Sequence, residues 1–355
     1  MSGADPRPHR SDRATGRARP WLAAAIVVVV VGAFVAAIGM QRLTAGPDRD
    51  GAATRPGTDA YRGLGTWIDV YDFVPARQAA GGAPPVSPQD LRTAAAAGIG
   101  TIYLQAADQS APGVVDAALL GAFLRAAHDA GLQVVGWYLP TFEDPAADLG
   151  RLQAILDFSH EGQRFDGVAV DIEDVRGVPD HQERTERLLR LSAALERHAD
   201  GRPLGAIVPA PVLLEDVNPQ LWPDFPWADL APHYGAWLVM NYWTGRSESS
   251  GWRDAYRYSV ENLERVRTHL GDERAPVHLV GGVADEASEA DYAGFAAALA
   301  DGAAGGASLY DFRTTSVAGL LRLQRLAADD VWARPAPAGA PEQRRTAATA
   351  PSPVP

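Results

Sequence analysis

A single α/β chain closed into one (β/α)8 barrel is the architecture this sequence predicts, and three observations predict it. Eight short, β-branched apolar runs recur between residues 62 and 332, with starts 31 to 40 residues apart. Amphipathic helical stretches separate them, with no extra hairpin. Setting aside the two ends of the 355-residue chain leaves roughly 270 residues, about the size of one such barrel. A βα unit needs about 30 residues or more, so eight in succession suit a closed parallel barrel better than an open doubly wound sheet.

The strands are expected to start near Thr66, Thr101, Gln133, Gly167, Leu204, Ala236, Pro276 and Ala307. In the first, Trp67-Ile68-Asp69-Val70-Tyr71, strand alternation turns Ile68 and Val70 outward and Trp67, Asp69 and Tyr71 inward. Ser87-Pro88 then marks a helix start, a cap before a first-turn proline, and Gly98 marks its end. The second strand offers Tyr103 and Gln105 to the interior, and Gly131 closes its helix. The third ends Trp137-Tyr138. In the fourth, Val168, Val170 and Ile172 share one face, which must meet the helices, so Ala169, Asp171 and Glu173 point into the barrel; Gly201 ends the helix that follows. The fifth connection, Pro211 to Tyr234, carries Trp222, Phe225 and Trp227, expected to form a wall of the mouth. The sixth strand ends Met240-Asn241-Tyr242-Trp243, with Gly271 ending its helix. Ser288 and Asp291 form a variant capping box before the last predicted helix. The eighth strand ends Tyr310-Asp311.

The ends of the chain read differently. Residues 21–40, WLAAAIVVVVVGAFVAAIGM, hold no charge and as a helix would span about 30 Å of hydrocarbon. Five arginines and two aspartates precede them, so residues 1–20 are expected to stay in the cytoplasm as a basic tail while the barrel is exported. A cleaved signal peptide is the alternative, against which stand the length of the apolar run and the lack of a small-x-small cleavage site. Residues 41–61 have the Gly, Pro and Asp content of a linker. Residues 333–355 hold six prolines among small polar residues and read as a disordered tail.

Net charge is −12 overall, and the first twenty residues are positive, so the body is strongly acidic and nucleic acid is excluded as a partner. The chain has no cysteine, which rules out disulfides and thiolate metal sites. Gly63-Leu64-Gly65 precedes a strand and Gly281-Gly282 lacks the rest of a phosphate loop, so no nucleotide fingerprint remains. The eight histidines show no paired ligand spacing. Chemistry without metal or cofactor is expected.

Barrels of this kind carry reacting groups at the C-terminal ends of the strands. There Asp171 and Glu173 stand side by side, about 7 Å apart by strand geometry. Like charges that close in a partly buried cleft raise at least one pKa, which keeps a carboxylic acid protonated near neutrality. These two are the candidate catalytic residues. Asp69, Tyr71, Gln105, Tyr138, Tyr242, Trp243 and Asp311 are the candidate substrate-binding residues. A mouth that mixes acids with tryptophan and tyrosine suits sugar rings, whose C–H faces stack on aromatics while their hydroxyls hydrogen-bond.

These motifs resemble glycoside hydrolase family 18, the chitinase-like TIM barrels. The fourth-strand motif Asp-Gly-x-Asp-x-Asp-x-Glu is matched at Asp166, Gly167, Asp171 and Glu173, and the sixth-strand Met-x-Tyr-Asp at Met240 and Tyr242. The resemblance implies Glu173 as general acid, Asp171 orienting the substrate's acetamido group and Tyr242 holding its oxygen. Ala169 stands where the family has its first inner Asp, and Trp243 replaces the Asp after the tyrosine. The strand-four Asp-x-Glu with an inward Asp on strand one is also similar to the family 25 lysozymes; there Asp69, Asp171 and Glu173 share the cleft and peptidoglycan is the implied substrate.

The leading expectation is a membrane-tethered hydrolase of a cell-wall or extracellular glycan. A catalytically inert barrel that binds glycan or a cell-envelope partner is the alternative, and a scaffold whose Pro-rich tail recruits partners is a third. Inward carboxylates locked by arginines such as Arg176, Arg246 or Arg313 would mark a structural role.

Overall fold

A computed structural model of the chain describes residues 57–78 and 82–316, together with 318, 319, 321 and 322. The predicted membrane segment 21–40, its basic tail and the Pro-rich tail lie outside the described residues. Among those described, no helix is long and apolar enough to cross a membrane.

Eight parallel strands form a closed barrel in sequence order: β1 Gly63–Ile68, β2 Thr101–Gln105, β3 Gln133–Tyr138, β4 Gly167–Asp171, β5 Leu204–Pro209, β6 Ala236–Met240, β7 Val277–Val283 and β8 Gly306–Tyr310. β1 pairs with both β2 and β8, which closes the sheet. Five starts fall where expected. Two others shift because Gly63, with φ +71°, and Gly306 open their strands, and glycines carry no β-propensity to read; β7 starts one residue late, at Val277, since Pro276 has no N–H to give the ladder. At Gly306 the role is steric: a Cβ there would lie 2.7 Å from the Tyr61 carbonyl.

Long helices follow β2, β3, β4, β6 and β7: Ala117–Asp129, Pro145–Leu156, His181–Ala199, Ala255–Leu270 and Glu289–Gly302. Ser87 with Asp90 and Ser288 with Asp291 form the expected capping boxes. Gly98, Gly131, Gly201 and Gly271 all take the left-handed conformation that ends helices. The fifth connection has only the four-residue helix Trp227–Leu230 and a short π-turn, Leu213–Val217. Trp222, Phe225 and Trp227 stack along it, with the Arg184 guanidinium 4.2 Å from the Trp222 ring. They are buried in the outer layer and cover the gap that a missing helix would leave; they do not line the mouth, contrary to expectation.

Two cores result. The larger lies between strands and helices and takes Ile68, Val70, Val168, Val170 and Ile172, as alternation predicts. The smaller fills the barrel and includes Trp67, Tyr103, Trp137, Ala169 and Met240. Its lower end is closed by Ala60 and Tyr61, expected to belong to the linker but buried here. The Tyr61 hydroxyl accepts from the Val168 N–H (3.0 Å) and faces the carbonyls of Val168 (2.9 Å) and Pro203 (3.1 Å), at the starts of β4 and β5. Above it, His278 meets the Tyr103 hydroxyl at 3.2 Å and Ser308 Oγ at 2.8 Å, and Trp67 Nε1 donates to the same Oγ at 2.7 Å. The polar groups inside the barrel are thus paired with one another, as burial demands.

Candidate active site

The barrel's upper end opens into a cleft of about 940 Å³, the space expected above the strand ends. β4 delivers its chemistry by simple alternation. Val170 goes outward, Asp171 closes the strand facing in, and the Ile172 N–H bonds the Ile207 carbonyl at 2.8 Å before the chain leaves the sheet. Glu173 therefore stands just past the strand end, exposed within the mouth. The next turn is set by Asp174, which accepts from the N–H groups of Arg176 (2.7 Å) and Gly177 (3.2 Å), the loop-capping role of an Asx turn.

Asp171 is buried, and its Oδ1 has no hydrogen-bond partner. Burial, then the charges of Glu173 and Asp174, push its carboxyl well above the ordinary range. Glu173 is raised as well, by the enclosure of the mouth and by Asp174, with Arg176 opposing. Neither carboxylate has an ion pair among the described residues; Arg176 pairs with Asp174 at 3.1 Å, and Arg313 with Asp72 at 3.5 Å. The arginine locks that would mark a purely structural role are therefore absent from this pair. Tyr242 faces both acids, and burial followed by their charges keeps its hydroxyl protonated.

Asp69 stands on the β1 side of the same cleft. It caps a short helix, Val70–Phe73, accepting from the Tyr71 N–H at 2.7 Å, while its Oδ2 accepts from the Tyr310 hydroxyl at 3.1 Å. Gln105 lines the cleft and accepts from the Val70 N–H at 3.1 Å, which fixes the same turn. Because β1 ends at Ile68, Tyr71 belongs to that helix and not to an inward strand position; it stands at the rim with 63% of its surface exposed.

Three predicted residues are elsewhere. Tyr138 faces the helices, its hydroxyl donating to Asp148 at 2.6 Å, since neighbours on a strand take opposite faces and Trp137 takes the inner one. Trp243 turns into the outer core, 4.7 Å from Phe295. Asp311 is buried behind the cleft wall and accepts from the Thr314 N–H at 2.8 Å, outside the cleft lining.

Other residues at or behind the mouth were not singled out from sequence. Asp72 completes the capping box with Asp69, a spacing signal that was readable, and its carboxyl oxygen lies within 4.8 Å of those of Asp69 and Asp311. Such a trio could hold a cation, but the Arg313 contact already gives it positive charge. Arg77 and Asp108 form an ion pair across the mouth, brought together by loop paths that no local signal encodes. Burial alone would raise Asp108; hydrogen bonds from Ser110 and Arg77 prevail and hold it low.

The departures from the family 18 pattern also have a physical setting. Ala169 lies fully buried in the inner core, where a carboxylate would have to be desolvated. Position 243 faces away from the cleft.

No family model matches the chain, and no curated protein matches it. Solved structures do. GH5_18 from Streptomyces cattleya, in complex with GlcNAc, is 16% identical over 79% of this chain and 83% of that one, with a TM-score of 0.52. A β-galactosidase from the psychrophilic Marinomonas ef1 is 8% identical over 75% of this chain and 59% of that one, with a TM-score of 0.53. At these identities the likeness is one of fold: the chain shares the TIM-barrel architecture of glycoside hydrolases.

Proposed function

We propose that this protein hydrolyses a glycan, with Glu173 as the acid and base and Asp171 as the neighbour that tunes it. The observation that carries the reading is the pair itself. Two carboxyls without ion pairs stand at the strand-four end of an aromatic-walled cleft, and both are pushed toward the protonated form. A carboxylic acid held protonated near neutrality can give its proton to a leaving glycosidic oxygen and later take one from water. Tyr242 and Tyr310 offer ring surface for a sugar above the buried Trp67 and Trp137 of the cleft floor, and exposed Tyr71 extends that surface at the rim. GH5_18, a barrel of the same fold, is solved in complex with GlcNAc, which accords with a sugar ligand.

The uncharged run at residues 21–40 supports anchoring in a membrane with the barrel outside, where peptidoglycan, chitin-like or other polysaccharides are the substrates to screen. Glu173→Gln keeps the shape and removes the titrating proton, so the rate on any substrate found should fall by about 100-fold or more while binding survives. Hydrolysis by that variant at the wild-type rate would place the acid elsewhere. The inert-barrel reading is favoured by Ala169 and Trp243, which remove two acids of the family 18 pattern; it prevails if glycans bind and none is cut.

A further inference from the structure

The charge of the cleft exceeds what a neutral sugar needs. Asp69, Asp108, Asp171, Glu173 and Asp174 all line it, against Arg77 and Arg176. Each arginine is already taken, Arg77 by Asp108 and Arg176 by Asp174. That leaves Asp69, Asp171 and Glu173 without an ion pair among the described residues, and behind them lie Asp311 and Asp72, the latter paired with Arg313. Buried charge is costly unless it is paired.

A second observation points to a ligand. Asp171 is more than nine-tenths buried, lines the cleft, and leaves Oδ1 without a donor. An ammonium brings three N–H donors and a positive charge, and that charge draws a raised carboxyl beside it back to the ionised, accepting form; a ring bearing hydroxyls alone does not. The aromatic walls favour the same ligand, because ring faces attract cations. A metal ion fits less well: the three unpaired carboxylates line an open cleft, and the one convergent trio, Asp69, Asp72 and Asp311, already meets Arg313.

We infer that the cleft takes a glycan carrying free amino groups, whose ammonium groups are drawn to Asp69 and Asp171 along its lining while Glu173 keeps its proton for the leaving oxygen. This deepens the proposed hydrolase reading and rests on the same site. An N-acetylated sugar offers a neutral amide at that position, and an acidic sugar adds repulsion.

The test is binding by the full-length wild-type protein at neutral pH, read by titration calorimetry. β-1,4-linked tetramers of glucosamine, N-acetylglucosamine and glucose are compared, with the free monosaccharides alongside so that the result does not depend on linkage. Glucosamine ligands should bind about tenfold tighter than their acetylated or hydroxyl counterparts, the equivalent of one charge-assisted hydrogen bond. High salt should shrink the preference. Asp69→Asn should cut the ratio by roughly threefold, and the salt response of the wild type stands as an independent readout should that variant fold poorly. Equal or weaker binding of the amine ligands overturns the inference. So does calorimetric binding of Mg²⁺ or Ca²⁺ alone that displaces glucosamine, since the surplus charge then belongs to a metal ion. If neutral tetramers are cut by the wild type and not by Glu173→Gln while no amine preference is seen, only this inference falls. If no sugar binds and no glycan is cut, the hydrolase reading falls with it.

Discussion

Asp72 and His278 titrate over one pH window in opposite senses. Burial, then the charges of Asp69 and Asp311, raises Asp72 from 3.8 to about 6, and burial lowers His278 from 6.5 to about 4. For Asp72 the folded state holds its proton more tightly than the unfolded chain, so stability grows as pH falls from about 6 toward 4. For His278 the unfolded chain binds the proton first, so stability is lost over the fall from about 6.5 to 4. Each contribution is of order 3 kcal/mol at full extent. Asp148, Asp171, Glu173 and Asp311 are also raised and act in the sense of Asp72. The protein should therefore melt higher at pH 5 than at pH 7.5, with Asp72→Asn narrowing the gap and His278→Gln widening it. Calorimetry at both pH values decides, and a higher melting temperature at pH 7.5 would contradict the assignment. At this scale the sequence was legible where alternation alone sets direction, as at Asp171, Glu173 and Trp67. It was misleading for Tyr138 and Trp243, each adjacent to an aromatic that takes the inner face. It was silent for Arg77 and Asp108, which meet only because two distant loops run side by side.

Elements show the same division. The helix starts at Ser87 and Ser288 and the helix ends at Gly98, Gly131, Gly201 and Gly271 follow from local chemistry, since capping serines, first-turn proline and left-handed glycines act within one turn of the chain. The floor of the barrel does not. Tyr61 sits in a segment whose composition is that of a linker, yet its ring fills the space left by Gly167 and Gly205, where a Cβ would come within 2.8 Å and 2.7 Å of Tyr61 atoms. This complementarity joins residues more than 100 positions apart, and no pattern within a strand reveals it. Tyr61→Phe should cost about 1 to 3 kcal/mol, because the buried Val168 N–H loses its acceptor. Gly205→Ala should cost a similar amount by overpacking. Gly205→Ala combined with Tyr61→Leu should cost less than the sum of those two single changes, since Tyr61→Leu makes room for the added methyl. Urea titrations of the single and double variants measure this coupling; strict additivity would show that the floor is not one packed unit.

On the scale of the whole molecule, the arginine bias around residues 1–20 and the uncharged run at 21–40 predict a topology that an accessibility experiment can read. Protease added to intact cells should remove the barrel and leave an N-terminal epitope protected. Recovery of the intact chain in the soluble cytoplasmic fraction would refute the anchor. The fold adds a directional consequence through Tyr61. The chain enters the barrel at the starts of β4, β5 and β8, the end opposite to Asp171 and Glu173. Whatever is fastened upstream of Thr58, a resin or a sensor chip as much as any other support, pulls on the floor of the barrel. The load falls first on a buried tyrosine and its hydrogen bonds, while the rim that holds Asp171 and Glu173 carries none of it. A long, immobile polymer can then be approached from the unloaded side, so N-terminal attachment is the orientation in which a tethered form of this protein should keep its mouth free.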